Sequence, residues 1–216
     1  MNPSTRRSWM KAIAAILALP SISRLQMAPA NKQPSFTNGD EDIPRLSSSR
    51  TRKYHQPPPN VSYVDNSSVF GAILRGEIPS LTLKETPIAL GFQDRSPKAP
   101  FHALIIPKTY IKNVFDLDQK DVFLVEDMHT MAMDLLNTYQ PEAVSQKDYI
   151  LCYHVPPFNS VNHLHLHVLA PASEMAWFYR FGKYLPGTRW CVGEEQVRDR
   201  LQSGKKAVPF VRYPGW

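Results

Sequence analysis

An α+β domain is what the sequence predicts: a five-stranded antiparallel sheet, one long helix, one short helix and a C-terminal extension. Three observations carry that expectation. Five short runs of apolar and β-branched residues recur between turn signals. A single long stripe of helical period separates the third run from the fourth. Short antiparallel strands with one packed helix give an α+β domain and not a doubly wound sheet.

The elements follow in order. Ser67 or Ser68 caps a short helix through Val69, Phe70, Ile73 and Leu74, and Gly76 ends it just before Ile78-Pro79. Strands are expected over Leu81 to Glu85, Ile88 to Phe92, His102 to Ile106, Tyr149 to Tyr153 and His163 to Leu169. The long helix starts from Asp118 as N-cap and buries Val122, Val125, Met128, Ala132, Leu135 and Leu136 before stopping ahead of Pro141. Its methionines read as core filler. A last helix spans about Glu194 to Leu201.

Composition divides the chain. Residues 1–60 hold eight of the twenty prolines and nine Lys or Arg against three acids, whereas residues 61–216 hold sixteen of each sign. The formal charge of +6 therefore lies wholly in the first sixty residues. The domain is neutral, which argues for a small-molecule substrate and against a nucleic-acid face. Residues 1–30 carry Arg6, Arg7 and Lys11, an apolar run from Ala12 to Leu19, and no acid before Asp40. That pattern suits a secretory signal, a mitochondrial presequence, a faint twin-arginine signal, or an arm that targets nothing, so the compartment stays open. The run is too short to span a bilayer, and no stable membrane insertion is expected. Residues 31–60, with Ser47-Ser48-Ser49 and Pro57-Pro58-Pro59, read as a disordered linker. The domain then runs over 61–171 and its extension over 172–216.

The chemistry concentrates in VNHLHLHVLAP, residues 161–171, which holds three of the chain's seven histidines. On a strand His163, His165 and His167 would share one face, and Leu164, Leu166 and Val168 would enter the core behind it. Two or three of these imidazoles could bind Zn²⁺, but the sequence nearby shows no further ligand and no carboxylate to orient the rings. Alternatively, a neutral imidazole attacks phosphorus while its neighbours hold its tautomer and bind phosphate oxygens. Spacing alone leaves both readings open, and a histidine on a half-exposed face also has an ordinary structural reading.

The run His163-Leu164-His165-Leu166-His167-Val168 resembles the His-x-His-x-His motif of the histidine triad (HIT) nucleotide hydrolases and transferases. Phe70-Gly71-Ala72-Ile73-Leu74-Arg75-Gly76-Glu77-Ile78-Pro79 resembles the helix and turn that open the Hint branch of that family. Phe92 to Pro100 resembles its ribose-binding segment, and His102 to Lys108 the strand that follows. Residues 153–171, with Tyr179-Arg180 and Trp190-Cys191, are more similar to the Hint-three-like subgroup than to the small Hint proteins.

The resemblance implies a HIT-like fold and a hydrolase acting on the P–N bond of an AMP conjugate through a nucleotidyl-histidine, without a cofactor. His165 is the implied nucleophile, His163 its support and His167 a phosphate contact. Ser160 falls near the phosphate and leaving group, and the backbone of Asn159 to Val161 supplies NH donors. His102 approaches from a neighbouring strand. Asp94 is placed on the ribose hydroxyls, and Val69, Phe70, Ile73 and Phe92 around a purine base. A homodimer is implied, with Ile111 to Phe115 and the long helix at the contact. Two other readings remain: a hydrolase of dinucleoside polyphosphates or adenylylated nucleic-acid ends, and a nucleotide-binding scaffold.

Ordinary roles stand beside these. Phe70, Ile73 and Phe92 are core residues by type, Asp94 before Ser96-Pro97 can open a turn, and Ser160 and His102 can be loop and core residues. The chain also departs from the Hint pattern at Arg95, at Cys152 and at Pro156-Pro157-Phe158. A Cys-x-x-Cys found in some members is missing ahead of Phe70, so neither a structural zinc nor another metal is expected. Cys152 and Cys191 would pair only on export; as free thiols they suit a reducing compartment.

Overall fold

The computed structural model describes residues 66–211. The expectations for residues 1–60 lie outside the described residues.

Six strands form one antiparallel sheet. They are β1 (Thr82–Glu85), β2 (Ala89–Gln93), β3 (Phe101–Pro107), β4 (Ile150–His154), β5 (Leu166–Ala170) and β6 (Cys191–Gly193), in the spatial order β1-β2-β3-β5-β4-β6. The helices are α1 (Val69–Leu74), α2 (Val122–Tyr139), α3 (Pro141–Ser145) and α4 (Glu194–Gln202). Ser68 caps α1 by accepting from the Gly71 amide, and Gly76 leaves it with φ of 74°. Asp118 closes a capping box with Asp121 around a 3-10 turn that feeds directly into α2. Along α2, Val125, Met128, Met131, Ala132, Leu135 and Leu136 are buried, while Val122 is only half-buried.

Two expectations need correction. The sheet has six strands, because β6 from the C-terminal extension pairs with β4 through Cys152↔Gly193, Tyr153↔Val192 and His154↔Cys191. A three-residue strand is too short to show alternation. The histidine strand starts at Leu166, so His163 and His165 precede it. There the backbone turns away from its neighbour: the Leu164 amide donates to the Ile111 carbonyl at 2.7 Å, outside the β3–β5 ladder.

The two faces of the sheet differ. One packs Ala103, Ile105, Leu166, Val168, Tyr153 and Val192 under α2 and α4 in the main core. Glu194, fully buried, anchors α4 to α2 by contacting His129 Nδ1 at 2.8 Å, and accepts from Arg198 Nε one turn along α4 at 3.1 Å. The other face carries two smaller apolar clusters. Phe70, Ile73, Leu74, Leu90, Phe92, Leu104 and Ile106 form one beneath α1. Cys152, Leu169, Ala172, Met175, Tyr184 and Cys191 form the other, mostly beneath the 172–190 segment. The histidines occupy the strip between them. No helix among the described residues is long and apolar enough to cross a membrane.

Candidate active site

Five histidines meet on that strip: His102 from β3, His154 from β4, His163 and His165 from the segment entering β5, and His167 within it. All are nearly buried, at 1–6% exposure. Their hydrogen bonds fix which nitrogen of each ring carries a proton. His165 Nδ1 lies 2.7 Å from the His163 carbonyl oxygen, which can only accept, so Nδ1 is protonated and Nε2 keeps its lone pair. His163 donates from Nε2 to the Pro107 carbonyl at 2.9 Å and accepts at Nδ1 from Asn66 Nδ2 at 2.7 Å. It therefore supports His165 through its backbone carbonyl, while its ring is tied to the chain upstream of α1.

A second relay serves His167. The Lys98 amide donates to His102 Nδ1 at 3.3 Å, which puts the His102 proton on Nε2. That Nε2 donates to His167 Nδ1 at 3.0 Å, so the His167 proton sits on Nε2. His167 Nε2 is buried with no hydrogen-bond partner among the described residues. A buried N–H left open is costly unless a ligand accepts from it.

Burial sets the charge of the cluster. It pushes His102, His154 and His163 down to about 4, against an ordinary value of 6.5, and also lowers His165 and His167. Opposing pulls, such as Asp94 on His102, are smaller. The cluster is therefore neutral at pH 7, as a nucleophilic lone pair requires. Stability is linked to the same groups. Between about pH 6.5 and 4 the unfolded chain binds more protons than the folded one, so stability is present above 6.5 and declines as pH falls toward 4. Calorimetry should show a lower Tm at pH 5 than at pH 7.5, and the His154→Gln variant should show a smaller drop.

The other expected site residues distribute unevenly. Asp94 Oδ2 lies 3.5 Å from His102 Nε2, and Oδ1 accepts from the Ser96 amide at 2.7 Å, so its turn role is realised beside the cluster. Phe70 sets its ring edge-on to His163 and His165, with centroids 5.9 and 5.3 Å away, and touches Phe92 at 5.7 Å. Ile73 and Phe92 are buried in the same apolar cluster, Val161 packs against its rim, and Val69 is exposed. Ser160 is exposed in the loop before His163. Asn159 Nδ2 braces that loop by donating to the Val161 carbonyl at 3.0 Å and to Asn162 Oδ1 at 3.1 Å.

Three contributors escaped the sequence analysis. Asn66 is 3% exposed and also accepts from Ser68 Oγ at 2.7 Å. His154 faces the His167 ring at 4.7 Å and donates from Nε2 to the Lys183 carbonyl at 3.1 Å. Tyr184, from the C-terminal extension, packs on His154 and His167 at 4.9 and 5.1 Å. His154 had a usable signal. It lies two residues after Cys152 on one strand face, and the antiparallel register Cys152↔His167 carries it toward His165. Asn66 and Tyr184 offer none, since only the tertiary fold brings them in.

Cys152 and Cys191 lie side by side as buried free thiols, with burial pushing Cys152 well up. Ile111 and Phe115 pack half-buried on the chain's own core, and Val114 is fully buried there.

Residues 67–180 match a family model described as scavenger mRNA decapping enzyme, C-terminal binding. The adenosine 5'-monophosphoramidase HINT3 of Danio rerio is 35% identical over 143 residues, covering 66% of this chain and 86% of that protein. The Arabidopsis thaliana bifunctional adenosine 5'-phosphosulfate phosphorylase/adenylylsulfatase HINT4 is 36% identical over 109 residues, covering 50% of this chain and 72% of its own. Among solved structures, a HIT family hydrolase from Legionella pneumophila is 36% identical, covering 47% of this chain and 90% of its own, with a TM-score of 0.43.

Proposed function

The chain belongs to the histidine triad family, and from that premise we propose that it hydrolyses the P–N bond of an AMP conjugate by double displacement through His165. One observation carries the mechanism: the His165 Nδ1–H bond to the His163 carbonyl, which leaves Nε2 as the nucleophile. Nε2 attacks the α-phosphorus, the P–N bond breaks, and the amine leaves after taking up a proton from solvent. Water then attacks the same phosphorus and gives a proton back to solvent, the P–Nε2 bond breaks, and AMP is released.

His167 Nε2–H supplies the donor that a phosphoryl oxygen accepts from as charge builds on it, in the manner of an oxyanion site. His102 is a positioning residue, because it fixes the His167 tautomer through the Lys98 amide. In this reading Ser160 and the backbone of Asn159 to Val161 meet the phosphate and leaving group. Asp94 meets the ribose, and Val69, Phe70, Ile73 and Phe92 meet the base. The contact of Phe70 with both His163 and His165 supports a base lodged beside the reacting phosphorus. A homodimer formed along α2 belongs to the same reading and is supported by the exposed Phe123 on that helix, 71% accessible. Sedimentation should then report a dimer, and Phe123→Glu should shift it to monomer.

Turnover of a fluorogenic adenosine phosphoramidate tests the reaction. It should persist in excess chelator, because His165 Nε2 needs no metal to act as a nucleophile. It should also persist when residues 1–60 are deleted; strong salt dependence that vanishes on that deletion would instead favour an adenylylated nucleic-acid end as substrate. AMP binding without turnover would favour the scaffold reading.

A further inference from the structure

We propose that Lys183, from the C-terminal extension, is a further binding residue of the active site, whose ammonium pairs with the α-phosphate and makes the nucleotide, rather than the nucleoside, the preferred ligand. This role rests on the nucleotide reading above and deepens it.

The need for a cation comes from the cluster itself. Burial keeps the five histidines neutral at pH 7, yet a nucleotide or its phosphoramidate brings negative charge onto the strip. His167 Nε2–H offers only a neutral donor there. A charged phosphoryl group drawn out of water is held far better by an ionised partner, because charge-assisted hydrogen bonds are stronger and the site is poorly solvated.

Lys183 is placed to be that cation. Its backbone carbonyl accepts from His154 Nε2 at 3.1 Å, which ties the residue to the edge of the cluster. Its Nζ stands over the Tyr184 ring, 5.6 Å from the centroid, and that ring packs on His102, His154 and His167 at 5.8, 4.9 and 5.1 Å. Lys183 is half-buried, and no carboxylate pairs with its ammonium among the described residues. The neighbouring Lys98 has its ammonium on Ser96 Oγ at 2.8 Å and over the Tyr179 ring at 5.1 Å.

The field of Lys183 reaches the reacting atoms. Its charge lowers the pKa of His102, His154, His165 and His167 alike, while Asp94 pulls the other way on His102 and His165. Burial already keeps these rings neutral, so the cation is not needed for that. It acts when an anion arrives, and it offsets the repulsion that Asp94 would exert on a phosphate.

Binding of AMP and of adenosine to the full-length protein, followed by calorimetry at low ionic strength, tests the assignment. Lys183→Met should weaken AMP by at least ~10-fold, the scale of one charged hydrogen bond, and leave adenosine unchanged. Lys183→Arg should recover most of the AMP affinity, and added salt should erode AMP binding less in Lys183→Met than in the wild type. Unchanged AMP affinity in a folded Lys183→Met variant would overturn the assignment. Equal losses for AMP and adenosine would overturn it too, since they mark a packing role. Lys183→Gln supplies the same comparison if the methionine variant misfolds. Neither ligand is turned over, so a wild-type chain that leaves the phosphoramidate intact loses the P–N reaction without touching the role of Lys183. A wild-type chain that binds neither ligand loses the nucleotide reading, and Lys183 with it.

Discussion

Alanine at position 165 is expected to lower hydrolysis of an adenosine phosphoramidate by on the order of 10⁴-fold or more, the scale seen when a covalent nucleophile is removed. The wild-type chain, quenched within a single turnover under conditions that preserve a P–N bond, should carry nucleotide label on His165. The variant should carry none. The reason is local. Nε2 of His165 combines a free lone pair with a ring held by a donor bond to a fixed carbonyl, at 2.7 Å; His154 is held in the same way by the Lys183 carbonyl, at 3.1 Å, but lies on β4 outside the triad. His163 has both nitrogens engaged, and His167 presents a proton. His167→Ala should fall about 10²–10³-fold, the cost of losing one donor to a developing oxyanion, while still forming some labelled His165. Label on a residue other than 165, or turnover by His165→Ala near the wild-type rate, would remove the covalent mechanism.

The second large effect is on stability and comes from a position with no chemistry of its own. A Cβ on Gly71 would sit 2.0 Å from the Asn66 carbonyl oxygen and 2.6 Å from Asn66 Cγ. Asn66 cannot move aside freely. Its carbonyl accepts from Arg75 Nη1 at 2.7 Å, and its amide holds His163 Nδ1 at 2.7 Å. Gly71→Ala should therefore cost roughly 3 kcal/mol, the sum of an overpacking penalty and a buried bond to His163 lost. Thermal denaturation should show it directly. Gly182→Ala is the control: the nearest atoms to its Cβ, in the Phe178 ring, lie 3.7 Å away, in ordinary contact. Its Tm should hardly move. A Gly71→Ala variant as stable as the control would mean that Asn66 has another seat, and His163 with it.

Much of this fold was legible in the sequence, and particular residues show why. Ser68, Gly76 and Asp118 announce their turns because capping is local chemistry. The α2 stripe is legible because a buried helix face repeats at a fixed period. Alternation at His163 to His167 overruns the start of β5 because it reports which way side chains point, and these still alternate between core and cluster where the ladder has ended. Strand β6 has no local signature because its pairing with β4 is decided by distant partners. The same division holds at the site. The motif named His163, His165 and His167. Asn66 and Tyr184 come from separate elements, and no local pattern ties them to it; His154 is tied to it only through the register of β4 against β5.

The strip of histidines also has a mechanical meaning. It divides the open face of the sheet into two apolar halves, one closed by residues before the sheet and the other by residues after it. Those halves meet mainly through imidazole rings and their hydrogen bonds. The site thus works as a weld between the two ends of the folded chain. Trimming either end exposes polar groups at the joint along with oil, so a chain cut after residue 171 keeps its motif and loses its seal. Amide exchange should report this as protection that fails on one flank while the other still holds.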